Sequence, residues 1–139
     1  MTTDATLYVV ETNAGWYQTK IGFVYENHTD RSVSQNYCRT PGPPVVEKYE
    51  SGKWTAAYIP IVLLCLTMPP FVIAADSSYT AILDFTAAPP NTHKGPELRV
   101  AAIPGIYRLR WAMRAGSDPN AEDAPMVDAV SNQFRLVLR

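Results

Sequence analysis

The sequence predicts an all-β domain. Three observations carry this. Short apolar stretches alternate residue by residue between turn signals along most of the 139-residue chain. Twelve prolines lie between those stretches, where they end strands and start turns. The best helical candidate is one or two turns between Asn120 and Val130. The pattern gives seven to nine strands at short spacing, which fits an antiparallel β-sandwich in one domain spanning 1–139. No fixed-period repeat is visible, which excludes a solenoid or propeller.

Each element follows from its own segment. Leu7–Thr12 (LYVVET) is a strand ended by Asn13-Ala14-Gly15. In KIGFVYEN, Ile21, Phe23 and Tyr25 share one face, and Asn27–Asp30 is a turn. Ser32–Cys38 is a weaker strand, set apart by TPGPP from VVEKYE. Ser51-Gly52 turns VVEKYE into KWTAAYI. SYTAILDF aligns Tyr79, Ala81, Leu83 and Phe85, the stretch AAPPNTHKGP is a loop, and ELRVAAI is a short strand. After Pro104-Gly105 the alternation is clearest, with Tyr107, Leu109, Trp111 and Met113 set against Arg108, Arg110, Ala112 and Arg114. NQFRLVLR supplies a final strand, with Phe134, Leu136 and Leu138 opposed to Arg135, Val137 and Arg139.

Trp54 to Ala75 carries no charged side chain. Roughly 20 apolar residues suffice to cross a membrane as a helix. Here Pro60 and Pro69-Pro70 divide the run, and each removes a backbone donor and breaks a helix. The flanks lack the clustered Lys/Arg that border a span. The run therefore reads as strand, turn and strand within a core, with no membrane span. The N-terminal MTTDATLYVVE has neither a basic nor an apolar signal-peptide region. An extracytoplasmic or periplasmic site is expected if a targeting segment has been removed, and a cytoplasmic one otherwise.

Twelve basic and thirteen acidic residues nearly balance, which gives no argument for nucleic acid as a partner. Cys38 and Cys65 either pair as a disulfide or stay reduced, with Cys65 buried among leucines.

Pro104-Gly105-Ile106-Tyr107-Arg108-Leu109, the stretch YENHT and the hairpin EKYESGKW together resemble small bacterial immunoglobulin-like domains of uncharacterised function, found in lipoproteins and exported proteins. The resemblance implies that the Tyr107 hydroxyl anchors the turn before its strand. It implies a fold and carries over no functional residue. Cys38 and Cys65 depart from the antibody-type spacing about a tryptophan. A weaker likeness is to bacterial proteinase inhibitors on a similar sandwich.

Candidate sites follow from side-chain chemistry. Arg108, Arg110, Arg135 and Arg139 are expected on one outer sheet face, where they would hold an anionic ligand or pair with Glu47, Glu50, Asp84 or Glu97. Trp16-Tyr17 follows a glycine turn, so one of the two faces outward and offers a stacking surface, as do Tyr37, Tyr49, Trp54 and Tyr58. Lys94, in APPNTHKGP, is the residue a trypsin-like protease would recognise. Asp118, Asn120 and Glu122 have alternate oxygen ligands like a calcium loop, but lack its glycine and its final glutamate. Asn27-His28-Thr29 matches a glycosylation acceptor. His28 and His93 lack metal-site spacing, and no nucleophile motif is present. The expectation is a non-catalytic module with no cofactor that binds a protein or glycan. The alternative is a proteinase inhibitor with its reactive loop near Lys94. Homodimerisation through edge strands is a further expectation.

Overall fold

The structure, a computed structural model, describes residues 1–36, 41–61, 69–121 and 123–139. Among the described residues there are eleven strands and no helix. They are β1 (Thr2–Thr3), β2 (Leu7–Asn13), β3 (Trp16–Glu26), β4 (Val33–Gln35), β5 (Val45–Glu50), β6 (Lys53–Tyr58), β7 (Phe71–Ile73), β8 (Ser78–Ala87), β9 (Gly105–Ala115), β10 (Met126–Val130) and β11 (Phe134–Leu138). All belong to one mixed sheet that does not close.

Strand β9 is the hub. Along one edge it pairs with β10 and then β11, along the other with β5 and then β4. Strands β6 and β7 extend β5 and β4 outward. A second ladder joins β3 to β8 from Tyr17–Ala87 to Glu26–Ser78. Strand β2 links the two ladders. Its Leu7–Val10 half runs parallel to Arg135–Leu138, and its Glu11–Asn13 half runs antiparallel to Trp16–Gln18.

Two expectations about the sheet change. It is mixed rather than antiparallel, because β2 and β11 run the same way. It has eleven strands rather than seven to nine, because the partners along each side of β9 are split into two strands. Between the Val130–Arg110 and Phe134–Tyr107 pairs, Ser131–Gln133 oppose only Arg108 and Leu109, a one-residue bulge separating β10 from β11. There the Ser131 hydroxyl accepts the Leu109 N–H at 2.8 Å, standing in for a lost ladder bond. The segment that was the best helical candidate, Asn120 to Val130, holds no helix among the described residues: Met126–Val130 is strand β10, because Val127 and Ala129 alternate inward opposite Met113 and Trp111.

The inward faces meet across the core. Ile21, Phe23 and Tyr25 of β3 and Leu83 and Phe85 of β8 pack with Tyr107, Leu109, Trp111 and Met113 of β9. Burial of each such side chain contributes roughly 1.5–3 kcal/mol. Trp111 takes the Phe23 and Tyr25 ring edges at 5.6 and 5.8 Å, and its indole N–H donates to the Gly42 carbonyl at 2.5 Å.

The segment ELRVAAI is a further correction. It forms no strand, apart from an isolated bridge between Glu97 and Ala88. Leu98, Val100 and Ile103 are buried, but the backbone bonds go to loop and strand-end partners: Leu98 N–H donates to Ala88 O, and Arg99 N–H to Ala57 O. Two side chains fasten its far end. Tyr107 Oη donates to Ile103 O at 2.6 Å, and the buried Lys48 ammonium donates to Ala102 O at 2.7 Å. A Cβ on Gly105 would lie 2.5 Å from Lys48 Cε, so a side chain there would displace the end of Lys48. Burial, with the Glu50 carboxylate adding to it, pushes the Tyr107 phenol well above its ordinary value, which keeps it a donor.

The uncharged run enters the sheet at both ends, as β6 and β7. Its centre, residues 62–68, lies outside the described residues, as do Cys38 and Cys65. No helix among the described residues is long and apolar enough to cross a membrane.

Asn27 is a structural pin. It is buried, and its amide nitrogen donates to Arg31 O, Ala74 O and Ile73 O at 2.8, 2.9 and 3.3 Å. Its amide oxygen accepts from Thr29 Oγ1 at 2.7 Å and from Thr29 N–H. The amide is fully occupied, so the Asn27-His28-Thr29 triplet is not an accessible glycan acceptor. Asn27→Asp keeps the shape but removes the donors, leaving buried carbonyls opposite a carboxylate. Urea unfolding is expected to show a loss of about 1–3 kcal/mol; unchanged stability would refute the pin.

Candidate functional site

The outward face of β9 carries the candidate site. Val46 and Lys48 lie opposite Leu109 and Tyr107 on the core side, so Val45 and Glu47 lie opposite Arg110 and Arg108 on the outer side. Tyr49 continues that outer row and pairs with Trp54 of β6. On the other flank Val130 and Asp128 lie opposite Arg110 and Ala112. The period of two thus gathers Glu47, Tyr49, Trp54, Arg108, Arg110 and Asp128 on one outer face.

Glu47 is the centre of this group, with its side chain only 9% exposed. Arg108 Nε donates to its Oε2 at 2.7 Å, and Arg110 Nε to its Oε1 at 2.8 Å. Arg110 Nη1 also reaches Asp128 Oδ1 at 3.4 Å. Burial alone would raise the Glu47 carboxyl, but the hydrogen bonds and charges of Arg110 and Arg108 outweigh it and hold it below the ordinary carboxylate range. The Glu47 carboxylate in turn holds the Arg110 guanidinium above its ordinary value. Arg108 lies over the Trp54 ring, its Cζ 4.3 Å from the centroid. The Tyr49 ring packs on Trp54 at 5.2 Å and remains 46% exposed.

Of the four arginines, Arg108 and Arg110 are bound to one carboxylate, that of Glu47. Arg135 lies on β11 opposite Ile106 and Leu7, beside an open groove of about 620 Å3. Arg139 follows β11 and is exposed. Of the acids considered as partners, Glu50 pairs instead with Lys48 at 2.7 Å and Asp84 with Lys20 at 2.8 Å. The bond from Glu47 to both guanidiniums at once is the feature that sequence reasoning missed; the signal for it was the register of VVEKYE against YRLRW.

The remaining candidates are scattered. Tyr17 packs against the core, and Trp16, on the opposite face of β3, is half-buried. Lys94 is exposed in a loop that Glu97 fastens, its carboxylate accepting from Thr92 N–H at 2.6 Å and His93 N–H at 2.7 Å. The His93 hydrogen bond, with those from Thr92, lowers the Glu97 carboxyl. Asn91 and His93 have φ of +64° and +57°. Asp118 accepts the Asn120 N–H at 2.9 Å, and Asn120 accepts from Asn36. Glu122 lies outside the described residues, among which no group of three His, Cys, Asp or Glu side chains forms a metal site.

Comparison with family models, with curated proteins and with solved structures finds no match.

The depressed Glu47 carboxyl fixes a sign. Its contribution to stability is present above the unfolded-state value and is lost as pH falls through the lower folded value. Glu47→Gln removes one negative charge between two guanidiniums. It is expected to cost about 1–3 kcal/mol at neutral pH and to flatten the acid limb of stability against pH. Urea titrations at a series of pH values check this; an acid limb identical to wild type would sink it.

Proposed function

We propose that the chain is an immunoglobulin-like β-sandwich serving as a non-catalytic binding module. Its binding surface is the outer face of β5, β6, β9 and β10. Two features support the sandwich reading: the strand β2 that joins both ladders, and the hydroxyl of Tyr107 tied to Ile103 at the start of β9, the corner that immunoglobulin-like domains use. The observation that carries the binding reading is the stack of Tyr49, Trp54 and Arg108 on paired strands. These are the residue types that dominate protein interfaces, and here their rotamers are held by neighbours before any partner arrives. Ile106 and Val130, both exposed, extend the face with apolar area.

The proteinase-inhibitor reading has one supporting observation, the rigid loop that Glu97 holds around Lys94. The left-handed backbone of His93, directly before Lys94, weighs against it, because a protease takes an extended strand. Intact protein is expected to leave trypsin uninhibited in a chromogenic assay, and stoichiometric inhibition would revive this reading.

The binding face is tested by retention of partners on immobilised protein. Trp54→Ala is expected to weaken the main partner by roughly tenfold or more. Ile82→Ser, at an exposed position on β8, is expected to leave it unchanged. Partners retained equally by the Trp54 variant would overturn the choice of face.

A further inference from the structure

We propose that Arg108 is the specificity centre of this face and that it receives a carboxylate side chain from an acidic segment of a protein partner. This rests on the binding reading above and names its partner class.

The geometry of one guanidinium carries the inference. Arg108 is fixed on two sides. Its Nε is committed to Glu47 at 2.7 Å, and its Cζ lies over the Trp54 ring. Its two terminal nitrogens hydrogen-bond to no group among the described residues, and the side chain stays 24% exposed. Those two nitrogens form the edge that matches both oxygens of a carboxylate. The usual cost of ordering a long side chain has already been met, because Glu47 and Trp54 hold it. Arg110 differs, since one of its terminal nitrogens is turned to Asp128. Arg114 differs too, donating from Nη1 to Ala124 O at 3.0 Å.

Charge selects the sign of the partner. The outer row of β9 presents Arg108, Arg110 and Arg114, and the acids facing them are Glu47 and Asp128, so the face keeps a surplus cation in a chain of net charge −1. The surroundings favour a protein segment. Tyr49 and Ile106, 46% and 39% exposed, give the apolar area on which neighbours of an Asp or Glu would rest.

The test pans a phage-displayed random peptide library against the folded protein. Selected peptides are expected to be enriched in Asp or Glu beside an apolar or aromatic residue. Arg108→Lys, which keeps the charge but not the fork, is expected to weaken them at least tenfold. In the wild-type protein, NMR signals of the Arg108 guanidinium are expected to shift on titration with such a peptide, a readout that needs no variant to fold. Peptides that lack acid enrichment yet are lost with Tyr49→Ala overturn the role of Arg108 and leave the face standing. Peptides indifferent to Arg108→Lys and to Tyr49→Ala, or none selected at all, overturn both. Displacement by inorganic phosphate at far lower concentration than by acetate overturns the carboxylate in favour of a phosphorylated partner.

Discussion

Burial of Trp111 is the constraint on which the rest depends. An indole carries one polar atom, and that atom must be satisfied if the ring is to leave water. Gly42 supplies the carbonyl, which fixes the segment before β5 against β9. The same ring receives edges from Phe23 and Tyr25 on the other ladder, and Phe71 and Tyr79 pack near it. One side chain thus sets the distance between the ladders and the entry point of β5. The register of β5 follows, and with it the position of Glu47 opposite Arg108.

The two faces of β9 divide the work between stability and recognition. Its inner row is anchored by burial, its outer row by charge. A guanidinium on a mobile loop would lose much conformational freedom on binding. Arg108 stands on a strand paired along both edges, so its backbone is already ordered. Lys48, on the inner side of β5 beside Glu47, ties the same strand to Ala102.

Much of this was legible in the sequence wherever one side of a strand is wet. The alternation in IYRLRWAMR placed Tyr107 to Arg114 on the correct inner and outer rows of β9, because period two is local. The same holds for Ile21, Phe23 and Tyr25. The tie of the Tyr107 hydroxyl to the preceding turn was an expectation from the immunoglobulin-like resemblance, and the hydroxyl does donate to Ile103 O. What stayed hidden was non-local. ELRVAAI has apolar residues spaced like a strand, yet its backbone partners are single carbonyls at the ends of other strands, and no local pattern reports that. The parallel pairing of β2 with β11 joins residues at opposite ends of the sequence. The sharing of Glu47 by two arginines depends on the register between β5 and β9, so the arginines could be identified as surface residues without their geometry being known.

The parallel pair of β2 and β11 has a mechanical consequence. Leu7 lies beside Arg135 and Val10 beside Leu138, so the two strands point the same way. Tension drawing the chain apart on the N-terminal side of β2 and the C-terminal side of β11 pulls these neighbours in opposite directions along their common axis. Every hydrogen bond of the pair is then loaded at once, in shear, rather than opened one after another from an end. A pair of this kind yields only when several bonds break together, and it protects the ladders behind it until then. The parallel pair of β2 and β11 therefore forms a clasp of the sheet against stretching.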